Sequence, residues 1–504
     1  MPAMPGAAHA TGGFDRRWLI LTVTSIGSFM SILDTTIVNI ALPRVLHDFH
    51  ADLDLGQLVL TVYLLSLAVV IPISGFLAER VGMKRLYMIT LCCFTAGSAL
   101  CGLAWNLESL IAFRIVQGLG GGMLQPLGMA IVFTKITPLE RGRFMGVLGQ
   151  PLLLAPIIGP TVGGYLVEYS SWRMIFLINV PIGLINLVLA KTLLDETVRK
   201  HEARLDRHGL ALAIVAFPCL LLAISEGESY GWDSPLIVTM LCLGIVALAA
   251  FIRTELRKRE PLMQVRLLAH PMFALAMTIN FVTQFSLFGL QFLLPLFLQT
   301  ARGMTPAETG LVLFPSGVAA FASMNIGGRI YNRVGPRKLA LSGLSILLAT
   351  TLLLSRISED TSVAEIMLLF CFRGAAIGLC MMPVQTAAYN TIASDQMTRA
   401  TAMVNVFIRI FGAVSTAILT TILALSLGWH GAPADSSITG GTAPVPFMVK
   451  AFRDAFLAMS ALTVVGLVLA SFLHDRVLDG LRAARHPSQS PGEGREPGAQ
   501  ASEA

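Results

Sequence analysis

A carboxylate stands inside one of the longest apolar runs of this sequence. Asp34 lies sixteen residues after Trp18, or about 24 Å along a helix at 1.5 Å per residue. It is the single acid that we place well inside such a run. Burial favours the neutral acid and a nearby cation favours the ionised form, so a carboxyl in this setting can take up and release a proton. The alternative is a structural carboxylate bonded to Thr35, Thr36 or Asn39.

Arginines provide the opposite charge in three other apolar runs. Arg114 opens a run whose residues 118–122 are rich in glycine, and small residues allow helices to approach closely. A structural role is open to Arg114, as a donor to backbone carbonyls of the first apolar run. Arg373 and Arg409 lie in later runs, and Arg409 either contacts a substrate or holds the end of a helix.

Polar side chains at helical spacing indicate a lined cavity. Asn280, Gln284 and Gln291 fall within about 40° of each other on one helical face, and Gln385 and Tyr389 are spaced i, i+4. Together with Arg409, they are our candidates for contact with a substrate. The alternative is that these groups only form hydrogen bonds between helices.

A charged turn occurs twice in the chain. Residues 75–86 and 328–339 are offset by 253 positions; five of the twelve are identical, and two more exchange Lys for Arg. A duplicated bundle whose halves carry the same turn would produce this pattern, although any tight basic turn favours Gly and Arg. We interpret the first copy as a gate, formed by Gly75, Glu79, Arg80, Gly82, Lys84 and Arg85. Anchoring of basic residues on the cytoplasmic side accounts for its arginines, but not for Glu79 or the glycines.

The composition identifies the surroundings of these residues. Hydrophobic residues make up 55% of the 504 and charged residues only 13%, about half the charged fraction of a soluble domain. Fourteen apolar runs are long enough to cross a bilayer core of about 30 Å, and in such a core helices satisfy their own backbone. We place these runs at 18–42, 57–78, 86–105, 107–134, 143–167, 174–194, 210–225, 235–252, 272–300, 308–331, 339–355, 363–392, 400–427 and 452–473.

Basic residues set the orientation. With the N-terminus inside, cytoplasmic segments hold 27 of the 36 Lys and Arg residues, and the even number of spans returns the C-terminus to the cytoplasm. Membrane topology therefore explains the basic residues that give the chain its net charge of +6, and no nucleic-acid partner is expected. We divide the chain into a cytoplasmic lead (1–17), a six-helix half (18–195), two extra spans with flanking loops (196–265), a second six-helix half (266–473) and a disordered cytoplasmic tail (474–504).

Several chemistries lack their motifs here. The sequence has no GxxxxGK[ST] phosphate loop, no GxSxG or HExxH motif and no paired catalytic carboxylates. Its seven cysteines show no metal-ligand spacing. We therefore expect no enzyme, no metal and no cofactor.

The motifs together resemble the major facilitator superfamily and, within it, the fourteen-span drug:proton antiporters of the EmrB/QacA type. Residues 33–43 resemble that family's span 1 signature, and residues 75–86 resemble its loop 2–3 signature, with Glu79 where Asp is usual. Residues 114–122 and 155–164 resemble the signatures of spans 4 and 5, and residues 172–183 resemble the start of span 6. The resemblance covers roughly residues 15–475.

This resemblance implies an all-α membrane protein with the major facilitator fold. It implies that Arg114 tunes protonation of Asp34 and that the antiporter motif includes Gly159, Pro160, Gly163 and Gly164, which we interpret as a packing kink that seals the cavity. The implied function is proton-coupled multidrug efflux of lipophilic small molecules across the inner membrane, powered by the proton gradient, with a membrane-fusion adaptor as an optional partner. Export of an endogenous lipid or metabolite, nutrient import and non-transporting sensing are the alternatives.

Only one membrane carboxylate is available to a substrate on this interpretation. Within the predicted spans, we count one acid, Asp34, and three arginines. Because a buried charge needs a partner, we expect neutral, monocationic or weakly acidic substrates rather than dications.

Overall fold

The computed structural model describes residues 15–51, 53–197, 206–258, 261–358, 360–393, 396–433 and 443–474. Apart from a short 3₁₀ helix at Val265–Ala269, the regular elements of these residues are α-helices. In chain order they are α1 (Arg16–Phe49), α2 (Leu53–Val81), α3 (Met83–Gly102), α4 (Leu107–Phe133), α5 (Arg141–Leu148), α6 (Gln150–Tyr169), α7 (Met174–Leu177), α8 (Asn179–Leu193), α9 (Arg207–Tyr230), α10 (Pro235–Arg257), α11 (Pro271–Thr300), α12 (Pro306–Val334), α13 (Pro336–Leu354), α14 (Val363–Asn390), α15 (Met397–Trp429) and α16 (Val445–Ala470).

The helices agree with the all-α expectation. Thirteen helices in the described part of the chain are long and apolar enough to span a membrane, and the bent α5–α6 segment would be a fourteenth. This segment is interrupted at Gly149 and bends by 42° between Pro156 and Thr161. Proline lacks the backbone N–H that a helix needs, and glycine has no side chain to pack. Both occur in this stretch, which explains why the predicted single span is broken.

Some predicted spans are too short. The seventh span, predicted at 210–225, is part of α9, which continues through Pro218 to Tyr230. The last span, predicted to begin at residue 452, begins at Val445 in α16. The extension of α9 brings Glu226 into a helix, whereas Asp454 of α16 already lay inside the predicted last span. Asp34 is therefore not the only acid within the transmembrane helices.

Side-chain caps define where several helices begin. In α4, Asn106 and Ser109 form a capping box, in which each side chain bonds the other residue's backbone N–H. In α12, Thr305 and Glu308 form a second one. These bonds satisfy donors that the first helical turn leaves free. The Glu308 carboxylate is therefore engaged in hydrogen bonds with Thr305 at the start of α12.

The repeated turn has the same geometry in both copies. Gly82 separates α2 from α3 with φ of 96°, and Gly335 separates α12 from α13 with φ of 88°. These backbone angles are strained for residues with a side chain. We call the end of the molecule that carries these two turns the basic end.

Glycines permit close packing within each group of helices. A β-carbon at Gly118 would lie 2.6 Å from the Ser66 side chain of α2, and one at Gly97 of α3 would lie 2.7 Å from the Gln117 backbone of α4. In the C-terminal part, a β-carbon at Gly378 of α14 would lie 2.6 Å from the carbonyl oxygen of Ala320 in α12. Inside a membrane the hydrophobic effect does not drive helices together, so their association depends on the close packing that small residues allow.

Helices α9 and α10 pack on each other, and α9 also contacts α2 and α15. We call α9 and α10 the accessory pair. They occupy the predicted position of the two extra spans, between α1–α8 and α11–α16. The predicted lead and tail lie outside the described residues, except for residues 15–17 and 474.

Candidate functional site

Asp34 and Arg114 form an ion pair in the interior of the N-terminal helices. Both residues are fully buried, and Arg114 Nη1 donates to Asp34 Oδ2. Arg114 Nε also donates to the Val59 carbonyl at 3.1 Å, and its guanidinium lies 3.8 Å from the centre of the Tyr63 ring. The pair therefore joins α1, α2 and α4 and is shielded from water.

Amide and hydroxyl groups continue this network. Gln117 Nε2 donates to Asp34 Oδ1 at 2.8 Å and to Ser98 Oγ at 3.1 Å, while Asn179 Nδ2 also donates to Ser98 Oγ, at 3.1 Å. Gln117 Oε1 accepts from Arg114 Nη1 at 2.8 Å. None of these three residues was predicted at the site from the sequence. The signal for Gln117 was its position three residues after Arg114, on the same helical face.

The structural alternatives for the two charges can be compared with these contacts. Thr35 and Thr36 donate to carbonyls of their own helix, at 2.6 and 2.9 Å, and not to Asp34. Asn39 likewise bonds the Thr35 carbonyl at 3.3 Å. Arg114 does bond a backbone carbonyl, but that carbonyl belongs to α2 and not to the first span. Local capping therefore does not account for Asp34.

A second ion pair joins the N- and C-terminal helices at the basic end. Arg399 of α15 donates from Nη2 to Glu79 Oε2 of α2 at 2.7 Å, and about a tenth of each side chain is exposed. Arg399 Nη1 also donates to the Pro261 carbonyl at 3.0 Å. A β-carbon at Gly75 would lie 3.2 Å from the Arg399 Cα, so this glycine allows α2 and α15 to meet. We did not single out Arg399, which lies near the start of its helix among alanines and threonines.

Further hydrogen bonds between the two groups of helices lie near the same end. Arg141 Nη1 donates to the Tyr389 carbonyl at 2.8 Å, Asn332 Nδ2 donates to the Leu139 carbonyl at 2.7 Å, and Thr401 Oγ1 donates to the Pro126 carbonyl at 3.2 Å. The basic end is thus closed in this conformation.

The other residues of the predicted gate surround this closure. Lys84 Nζ donates to the Lys191 carbonyl at 2.7 Å, and Arg80 and Arg85 are exposed. The structure thus brings Gly75 and Glu79 to the contact between α2 and α15, while Arg80, Gly82, Lys84 and Arg85 lie on the turn beside it. Their role as a gate stays a prediction.

Replacing Gly82 by alanine tests the turn. Because Gly82 has φ of 96°, the substitution introduces strain of about 1–3 kcal/mol. We expect Gly82→Ala to lower the transport rate several-fold while substrate affinity in detergent stays the same, because the turn and not the cavity is altered. Gly164→Ala is the control, since a β-carbon there meets nothing within 4 Å. Weaker binding with a normal rate would contradict this expectation.

Two cavities lie between the N- and C-terminal helices, away from the closed end. The first measures about 390 Å³ and is lined by α2, α9, α11 and α15. The second measures about 360 Å³ and is lined by α1, α6, α11, α12 and α14. Both are mainly apolar with a few polar groups, which is typical of small-molecule sites.

The predicted substrate-contact residues are divided between these cavities and the interior. Arg409 lines the first cavity, and Gln291 lines the second. Asn280, Gln284, Gln385 and Tyr389 are buried and line neither cavity in this conformation. Helical spacing alone therefore did not predict which residues line a cavity, because neighbouring helices cover these four side chains. Contact with a substrate stays a prediction for all of them.

The glycines of the antiporter motif pack α6 against α1. A β-carbon at Gly159 would collide with Thr36, and one at Gly163 would lie 2.7 Å from the Ile37 side chain. Gly164 faces open space, and the Pro160 side chain lies outside the described residues. Two of the four motif residues thus pack closely on α1, and the sealing of the cavity by this motif stays a prediction.

Arg373 is the buried cation of α14. Its guanidinium donates to Thr351 Oγ1 at 2.8 Å and to the carbonyl and hydroxyl oxygens of Ser286, at 2.6 and 2.7 Å. These acceptors are neutral, and among the described residues no carboxylate lies within ion-pair distance of it. Arg373 also lines the second cavity.

Comparisons with known proteins agree with this architecture. The family model of the Major Facilitator Superfamily matches residues 24–416. The chain is 32% identical to the "Uncharacterized MFS-type transporter YhcA" of Bacillus subtilis, over 92% of this chain and 94% of that protein. It is 33% identical to the "Multidrug resistance protein B homolog" of Mycobacterium tuberculosis, over 80% of this chain and 75% of that one.

A solved structure shows the same fold. The human organic anion transporter MFSD10 (TETRAN) superimposes with a TM-score of 0.64 at 16% identity, over 90% of this chain and 99% of that one. At this identity the likeness concerns the fold alone. The helices, the repeated turn and the matched family model lead to one conclusion: this chain is a membrane transporter of the Major Facilitator Superfamily.

Proposed function

We propose that this transporter is a proton-coupled multidrug exporter of the fourteen-span EmrB/QacA type. On this proposal, the basic end faces the cytoplasm, both termini are inside, and α1–α8 and α11–α16 are two six-span halves that move relative to each other. The substrates are lipophilic small molecules, and the membrane is the inner membrane of the cell.

The observation that carries the proposal is the buried Asp34–Arg114 pair. A carboxylate that is fully buried in a membrane protein is expensive unless it has a partner, and this one has a guanidinium and an amide. A proton on Asp34 would remove the charge that Arg114 neutralises. The pair is therefore a two-state element that protonation can shift. Relatives named as multidrug resistance proteins support the substrate class.

The arrangement supports an alternating-access cycle. The basic end is closed by Glu79–Arg399 and neighbouring bonds, while cavities lie between the two halves above it. Asp34 lines neither cavity, so proton exchange needs a second conformation. Tyr63 packs beside the Asp34–Arg114 pair, because its ring contacts Arg114 and its hydroxyl group donates to the Ser31 carbonyl of α1 at 3.2 Å.

Everted membrane vesicles test the proposal. Cells that express the protein yield vesicles whose lumen is acidified by respiration, and addition of a lipophilic dye should produce protein-dependent dye accumulation and proton release. An uncoupler should abolish both, and vesicles without the protein are the control. Dye accumulation that survives the uncoupler would rule out proton coupling, and the absence of accumulation across a panel of lipophilic compounds would rule out multidrug export.

A further inference from the structure

The first cavity contains a carboxylate that comes from the accessory pair. Glu226 lies near the end of α9 and lines this cavity together with Arg409 of α15. Our predicted seventh span ended at residue 225, so the sequence analysis left Glu226 in a loop. The structure makes α9 a wall of the cleft between α2 and α15, and not merely a linker between two halves.

Four other acids of the transmembrane helices are engaged elsewhere. Asp34 is paired with Arg114, and Glu79 with Arg399. Glu255 accepts from the Met263 backbone N–H at 2.9 Å, and Asp454 accepts from the Ser426 hydroxyl at 2.5 Å. None of these four lines either cavity.

Glu226 differs from these acids. It lines a cavity, its side chain is half-buried, and no described residue forms an ion pair with it. A carboxylate that is partly removed from water gains from a positive partner. A cationic group bound in the cavity would be such a partner.

The walls around Glu226 fit an apolar body. Leu64 and Leu65 of α2, Leu221 and Leu222 of α9 and Phe288 of α11 line the cavity, and its volume of about 390 Å³ suits a compact organic ion. A ligand with one positive charge and a large apolar surface would satisfy both the carboxylate and these walls.

The opposite charge in the cavity limits how many positive groups a ligand can carry. Both α9 and α15 start at the basic end. Glu226 lies nineteen residues after Arg207, about 28 Å along the helix, and Arg409 lies twelve residues after Met397, about 18 Å. Counted from these helix starts, Glu226 thus lies about 10 Å further along its helix than Arg409 does along its own. A second cationic group that reached past the first would meet the guanidinium.

We propose that Glu226 recognises the cationic group of lipophilic monocations, and that the accessory pair thereby contributes substrate specificity. This inference rests on the proposed function for the substrate class. It revises the expectation that Asp34 is the carboxylate that a cation meets, since Asp34 is enclosed with Arg114. It retains the expectation that dications are disfavoured, with Arg409 as the physical reason.

Binding to the purified full-length protein in detergent tests this without a proton gradient. The probe is tetraphenylphosphonium, measured by calorimetry, with uncharged triphenylphosphine oxide as its apolar counterpart. We expect Glu226→Gln to weaken tetraphenylphosphonium binding at least tenfold and to leave triphenylphosphine oxide unchanged, whereas Glu226→Asp retains most of the affinity. Glu168→Gln is the matched control, because Glu168 is an exposed carboxylate at the end of α6 that lines neither cavity.

A second pair of probes tests the role of Arg409. Ethidium and propidium share one ring system, and propidium carries an additional quaternary ammonium group. The wild type should bind ethidium at least tenfold more tightly than propidium, and Arg409→Gln should reduce that ratio. An unchanged ratio would overturn the role given to Arg409.

The result that overturns the role of Glu226 is equally direct. Equal tetraphenylphosphonium affinity of the wild type and Glu226→Gln, or no binding by the wild type, contradicts the inference whatever the vesicle assay shows. Conversely, Glu226-dependent binding in a protein that moves no dye against a gradient would support this site and reject the proposed export function.

Discussion

Asp34→Asn abolishes proton-driven dye accumulation in everted vesicles, with an expected loss of at least a hundredfold. The amide has nearly the shape of the carboxylate but takes up no proton, so it cannot couple a change of charge to movement. Gln117 can still bond to it, because an amide oxygen accepts a hydrogen bond as a carboxylate oxygen does. Exchange of labelled for unlabelled substrate, which needs no proton, should continue.

Stability must be measured beside transport for this variant. Removing one member of a buried ion pair typically costs about 3–5 kcal/mol, because the other charge is left without a partner. The double variant Asp34→Asn/Arg114→Gln removes both charges and should recover part of the lost thermal stability, but no coupling. Asp48→Asn is the control on the same helix, since its side chain still accepts from Trp172. Gradient-driven accumulation by the Asp34→Asn variant would show that Asp34 is not needed for coupling.

Arg399→Gln opens the basic end of the molecule. Glu79 then lies at the contact between α2 and α15 without the guanidinium that pairs with it, and a penalty of about 3 kcal/mol would shift the closed-to-open ratio by about a hundredfold. Spin labels at Arg85 and Lys338, both exposed on the two copies of the repeated turn, should report a longer distance in a cysteine-free background.

Two comparisons separate the ion pair from a general effect of charge. Arg329→Gln removes one positive charge from an exposed position near the end of α12, outside the predicted gate, and should leave the distance distribution unchanged. The double variant Glu79→Gln/Arg399→Gln should lie between the wild type and the single variant, because no unpaired charge remains. If Arg399→Gln keeps the wild-type distances, other contacts of the basic end, such as Arg141 with the Tyr389 carbonyl, determine closure.

Much of the architecture followed from local patterns. The helices follow from uninterrupted apolar runs without the alternating pattern of a barrel strand, because a helix satisfies its own backbone groups where water is absent. The turn at Gly82 and its copy at Gly335 were visible as a repeat, and both adopt positive φ.

Helix ends were harder to predict. A hydropathy criterion stops at the first polar residue, so Glu226 was assigned to a loop although α9 continues to Tyr230. Glu226 lines a cavity in the structure, where a carboxylate costs less than it would against lipid. The error concerned few residues, but it concealed the acid on which our further inference depends.

By itself, the sequence placed Asp34 and three arginines inside the membrane and indicated which helical faces carry polar groups, although it missed Glu226. It did not determine which charges meet. The pairing of Arg399 with Glu79 joins residues 320 positions apart, and the enclosure of Asp34 by Arg114 and Gln117 joins residues of different helices. Periodicity places a side chain on one face of its own helix, whereas pairing depends on how helices pack and on which conformation is closed. Only the tertiary structure therefore decided that Asp34 is sealed from the cavities while Glu226 lines one.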